Sequence, residues 1–220
     1  MSFSLLFKDE LNGFYKSKVM IFLWIGLPLM TLLIHLWYSD TGGEIPLTSL
    51  SAIVVSSLGG TIASVMLTVS IIHEKTRRVY DLFLIRPIKR WKIIVSKFLA
   101  VYVCLIIAST LAIILGIIID FANTGLPQEA VLNGALQSFA ISISMMAVSS
   151  AAGTLIGVGA PSVLVGAILV IYGGNQISSI PLIPSILNMS DAVPFTIILG
   201  AIISCVLLVT AVAVFNKKQF

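Results

Sequence analysis

The chain has 220 residues, 58% of them hydrophobic and 10% charged, with a formal net charge of +4 and a mean hydropathy of +1.10. A soluble domain carries roughly a quarter of its residues charged, so the composition excludes an ordinary water-solvated globule and points to lipid as the solvent. The basic residues gather in a few segments and are not spread over a surface, which argues against nucleic acid as a partner.

At the start of the chain Phe3, Phe7, Leu11 and Phe14 recur at helical spacing, while Asp9, Glu10, Asn12 and Lys16 fall mostly on other faces. The pattern predicts an amphipathic helix over 1–18 lying in the inner membrane interface. The alternative is an extension of the first span into the cytosol; Gly13 and the pair Lys16 and Lys18 favour a bend at the headgroups. Asp9 and Glu10, with no A-x-A-like site after the first apolar run, do not read as a signal peptide.

Crossing the hydrocarbon takes about 20 mostly apolar residues. Six runs qualify: Val19–Tyr38, Leu50–Ile72, Ile93–Ile119, Ala130–Ile156, Ser162–Ile177 and Pro194–Phe215. A backbone in lipid must satisfy its own hydrogen bonds, and these runs lack the alternation of a barrel strand, so they are helices. Between the fifth and sixth, 178–193 is too apolar for a solvated loop and too rich in proline (Pro181, Pro184) to span. It reads as a re-entrant or interfacial pair of short helices on the outer side.

Orientation follows from the basic residues. Lys8, Lys16 and Lys18 precede the first span, Lys217 and Lys218 follow the last, and the other eight lie between or at the edges of spans two and three. The outer segments hold Asp40, Glu44, Asp120, Glu129 and Asp191 and no basic residue. Both termini are therefore expected in the cytoplasm, for a multi-pass protein of the cell membrane. Cys104 and Cys205 sit inside apolar runs and read as small core residues.

The segment 73–92 is a short cytoplasmic hairpin. Thr76 suits the cap of a helix that sets Val79, Leu82 and Phe83 on one apolar face, with Arg77, Arg78 and Asp81 around it. Pro87 disfavours helical geometry at Arg86 and fits the first turn of the next helix. Arg86, Lys89, Arg90 and Lys92 hold the hairpin at an anionic leaflet. An apolar patch presented there is either a docking site for a partner or an anchor lying flat on lipid.

The run Glu74, Thr76, Asp81, Leu82, Leu84, Pro87, Ile88, Arg90, Ile93, Ile94 and Lys97 resembles the hallmark loop of ABC type-2 permeases. The resemblance implies that this loop is a coupling helix docking into an ATP-binding subunit, with Glu74, Val79, Asp81, Leu82, Phe83 and Ile85 in contact and Pro87 setting the bend. It further implies a separate ATP-binding cassette subunit that holds ATP and Mg, a second permease copy or similar subunit, and export. The family's Gly-Thr pair before the second acidic residue is missing; Thr76-Arg77-Arg78-Val79 stands there instead.

No G-x-x-x-x-G-K-[ST] loop occurs in the chain, nor H-E-x-x-H, nor G-x-S-x-G. No catalytic constellation is visible, and the chain is expected to be a permease and not an enzyme, with no cofactor of its own. The span centres hold no charge, which disfavours a gradient-driven carrier or channel. Ser57, Thr61, Ser64 and Thr68 share one face of span two, and Asn133, Gln137 and Ser144 a stripe of span four. Tyr172, Asn175 and Gln176 crowd the outer end of span five. These faces either line a translocation path between subunits or pack helices together; Gly153 and Gly157 form a G-x-x-x-G packing face. The expected function is export of a hydrophobic or amphipathic substrate such as a drug, peptide or lipid. A non-transporting scaffold or immunity protein shares most of these features and stays open.

Overall fold

The structure, a computed structural model, describes residues 3–38, 47–77, 89–124, 129–187 and 192–217. Within them the chain is helical, with no strand. Helix α1 covers Phe3–Tyr15, α2 Lys18–Tyr38, α3 Leu47–Thr76, α4 Arg90–Thr124 and α5 Glu129–Gly159. Helix α6 (Val163–Leu169) passes through a π segment (Val170–Gly174) into α7 (Asn175–Ser178). A 3-10 turn (Ile180–Leu182), α8 (Ile183–Ile186) and α9 (Ala192–Lys217) complete the order. Among the described residues six stretches are long and apolar enough to cross a membrane, so this is a multi-pass membrane-type helical protein.

Chain direction can be followed through the contacts between α3 and α5. Ser56 meets Met145, and a Cβ on Gly60, Gly153 or Gly157 would meet Ser149, Ser64 or Ile71. The positions advance together, so α3 and α5 run in the same direction. Trp24 of α2 donates its Nε1–H to the Cys104 carbonyl of α4 at 3.2 Å.

Helix α5 is the centre of the bundle, with 78% of its most apolar stretch buried against 17% for α9 and 22% for α2. The reason is its run of small residues. A Cβ added to Gly153 would fall 2.7 Å from the Ser64 carbonyl oxygen, and one on Gly200 of α9 2.7 Å from the Ser144 Cβ. Backbones that close gain dispersion contact that lipid cannot match. Thr68 adds a direct bond, its Oγ1 donating to the Gly153 carbonyl at 2.7 Å.

The fifth span is not one regular helix. Ser162 caps α6 through the Val165 amide. From Val163 to Ser178 the helical path rises only about 24 Å, short of a hydrocarbon core of about 30 Å. The turns over 180–186 extend it, so part of the 178–193 segment continues the span. The π segment coincides with Gly173–Gly174, where missing side chains let a turn widen.

Helix α1 is separated from α2 at Lys16–Ser17, so it is not a continuation of the first span. Ser17 makes the break: its Oγ accepts from the Met20 amide at 3.2 Å and caps α2. Helix α1 lies along α4, with Leu6 and Phe14 buried, Phe7 and Leu11 partly buried, and Phe3 stacked on Trp91 at 6.3 Å. One expectation is corrected here. Glu10 is not on a solvated face but in the inward stripe Leu6–Glu10–Phe14, at spacings of four.

Candidate functional site: a buried lysine between two carboxylates

The beginning of α4 is an apolar run into which one cation is set. Ile93, Ile94, Ser96 and Phe98 are buried, and so is Lys97, whose side chain is 3% exposed. An ammonium so placed must be paired, because burying an isolated charge is far too costly. Helices α1 and α3 supply the partners. Lys97 Nζ lies 2.9 Å from both carboxylate oxygens of Glu10 and 2.6 Å from Glu74 Oε1. The Phe14 ring lies below the ammonium, 5.6 Å to its centroid.

All three Lys97 protons thus have acceptors, and the cluster carries two carboxylates for one ammonium. Ser70 donates to Glu74 Oε1 at 3.4 Å. Glu74 Oε2 is buried with no hydrogen-bond partner among the described residues. Burial pushes the Glu10 carboxyl above the ordinary glutamate value; Lys97 pulls it back incompletely, and Glu74 and Asp9 push the same way as burial.

A cleft of about 490 Å³ opens beside the cluster, lined by Glu10, Phe14, Ser17, Met66, Val69, His73, Glu74 and Lys97 among others. It adjoins an apolar trough of about 540 Å³ along α3, lined by Val19, Thr61, Ile62, Val65, Met66, Val69 and Ile171. Val19, Met66 and Val69 belong to both walls.

Of the residues expected to contact a partner, Glu74 is placed by the structure in this cluster. Val79, Asp81, Leu82, Phe83, Ile85 and Pro87 lie outside the described residues. Thr76 is the last residue of α3 and donates its hydroxyl to the Ile72 carbonyl at 2.9 Å; the helix it was expected to cap lies outside the described residues.

The polar faces divide. Ser64 and Thr68 are buried between α3 and α5 and serve helix packing, one of the two readings of that stripe. Ser57 is partly exposed, and Thr61 lines the trough while bonding its own helix. Gln137 Nε2 reaches Ser185 Oγ at 3.5 Å beside a cavity of about 220 Å³. Asn133, Tyr172 and Gln176 are exposed and Asn175 is half-buried.

Sequence reasoning counted Lys97 only among the basic residues at the edges of spans two and three and in the permease-like run, and set Glu10 off the apolar stripe of α1. The available signals were the four-residue spacing of Leu6, Glu10 and Phe14, and the position of Lys97 inside the run Ile93–Phe98. Among the described residues no group of three or more His, Cys, Asp or Glu side chains is placed to hold a metal ion. No protein-family model matches the chain, and no curated protein matches it.

Proposed function

We propose that this chain is the membrane-spanning permease subunit of an ATP-binding cassette transporter, driven by an ATPase on a separate chain and exporting a hydrophobic or amphipathic substrate. The observation that carries the reading is the Lys97 cluster. It ties α1, the last turns of α3 and the first turns of α4 into one unit around the short segment 77–89. A push on that segment by a docked ATPase, with its own ATP and Mg, is then delivered to whole helices instead of being absorbed at a hinge. Placing the basic ends of these helices in the cytoplasm follows from the distribution of Lys and Arg. The apolar faces of α2 and α9 leave room for lipid and for a second copy of the chain, between which the substrate path would lie.

The experiment is a double substitution, Leu82→Asp with Phe83→Asp. It is expected to abolish association with the ATPase and nucleotide-driven transport while leaving membrane insertion intact. Normal assembly of the double variant would remove the coupling-helix reading.

One observation favours a second reading. An ionisable cluster with an excess carboxylate, one member of which holds its proton unusually well, is also what a proton-coupled carrier needs. Transport that needs no nucleotide and collapses with an ionophore would select it.

A further inference from the structure

The cleft beside Lys97 and the trough along α3 form one groove with two chemistries, and nothing in the proposed coupling role requires a groove there. At one end stand Glu10 and Glu74; at the other Ile62, Val65 and Ile171 present only hydrocarbon. From Glu74 to Thr61 is thirteen residues of α3, about 20 Å. Met66 and Val69 make the joint between the two parts. Both volumes fall in the range of small-molecule sites, about 300–1,000 Å³.

The charge decides which head group fits. Lys97 is spent: its protons point at Glu10 and Glu74 and its lower face meets Phe14, so an anionic head would have to break those bonds to reach it. Three of the four carboxylate oxygens already face Lys97, but one ammonium balances only one of the two carboxylates, and the fourth oxygen, Glu74 Oε2, is buried without a partner among the described residues. A second ammonium would take the cluster from an excess negative charge to neutrality in a partly dehydrated place, where such a pairing is stronger than in water. A bare metal ion is disfavoured, since the carboxylates and His73 form no ligand group.

We infer that this groove binds a single-chain cationic amphiphile, its ammonium at the Glu74–Glu10 carboxylates and its alkyl tail along Met66, Val69 and Val65. The inference does not rest on the transporter reading, because a ligand bound there is equally compatible with cargo or with a resident amphiphile. Its source is the bilayer, from which the open side of the trough is reached laterally.

The test uses the full chain in nanodiscs of phosphatidylcholine, with dodecylammonium, dodecanol and dodecyl sulfate as probes in equilibrium binding. Dodecylammonium is expected to bind saturably and at least about tenfold more tightly than either of the others. Val69→Trp fills the joint without touching an ionised group and should weaken dodecylammonium by about tenfold or more. Glu74→Gln should erase the preference over dodecanol; if that variant does not fold, the head-group series and Val69→Trp decide alone. Dodecyl sulfate binding as tightly as dodecylammonium would overturn the inference. So would Val69→Trp that leaves probe binding unchanged while altering the oligomeric state, which would make the groove a seam between copies of the chain.

Discussion

Replacing Lys97 by Met keeps the length of the side chain and removes the only cation among the described groups of the cluster. Two carboxylates, 17% and 24% exposed, would then face each other without compensation. Breaking a buried pair by deleting one partner costs about 3–5 kcal/mol. The residual exposure of both carboxylates places this case at about 3 kcal/mol, the low end of that range. For a chain of this size that is a fall in Tm of about 6–12 °C. The loss should shrink at pH 5, where Glu10, already inclined to hold its proton, neutralises one charge. Adding Glu10→Gln and Glu74→Gln to Lys97→Met should restore most of the stability, since a neutral cluster leaves no charge unpaired. Thermal unfolding in detergent at pH 7.5 and pH 5 reads all of this. Hydrogen exchange over Phe3–Tyr15 should also accelerate in Lys97→Met, because α1 loses its polar tie to α4. An unchanged Tm at pH 7.5, or no recovery in the triple variant, would refute the reasoning.

Glu10→Gln alone makes a pH prediction. The Glu10 carboxyl faces Lys97 of α4 and Glu74 of α3, with His73 in the same cleft and Asp9 on its own helix. Its folded-state affinity for a proton is raised, so its contribution to stability is complete below pH 4.5 and is lost as pH rises through the folded value. The Tm of the parent chain should therefore fall relative to Glu10→Gln on going from pH 4.5 to pH 7; a constant difference would contradict the shift. Gly153→Ala puts a methyl against Ser64 backbone, which cannot yield, and should cost about 1–3 kcal/mol in the same assay. Gly134→Ala meets nothing within 4 Å and should be neutral or stabilising by about 0.5–1 kcal/mol; equal effects of the two would contradict the α3–α5 packing.

The spans were legible because length and apolarity suffice to specify them: the expected runs and the helices α2, α3, α4, α5 and α9 overlap throughout, the helices extending past most of the expected limits. The glycines at 153 and 157 were legible for a related reason, since a missing side chain has one common use between membrane helices. The buried cluster was not, because burial of a charge is decided by its partners. Lys97 finds Glu10 across 87 residues and Glu74 across 23, distances no local pattern encodes. Lys97 therefore looked like its exposed neighbour Lys89. The Ser/Thr face of α3 was ambiguous for the opposite reason. Ser64 and Thr68 carry the same chemistry whether they meet a pathway or Gly153, and only the neighbouring helix distinguishes the two. The fifth span was legible over Ser162–Ile177, but its continuation through 180–186 was not, since Pro181 and Pro184 stop a regular helix without saying whether the chain leaves the bilayer.

The central claim, a permease working with an ATPase on another chain, is tested most directly by purifying the tagged chain gently from its native membranes. Mass spectrometry then identifies what accompanies it, and the same preparation is assayed for ATP hydrolysis. A stoichiometric ATP-binding cassette subunit with vanadate-sensitive activity is the predicted result. A chain that purifies alone, stable and without ATPase activity, would contradict it.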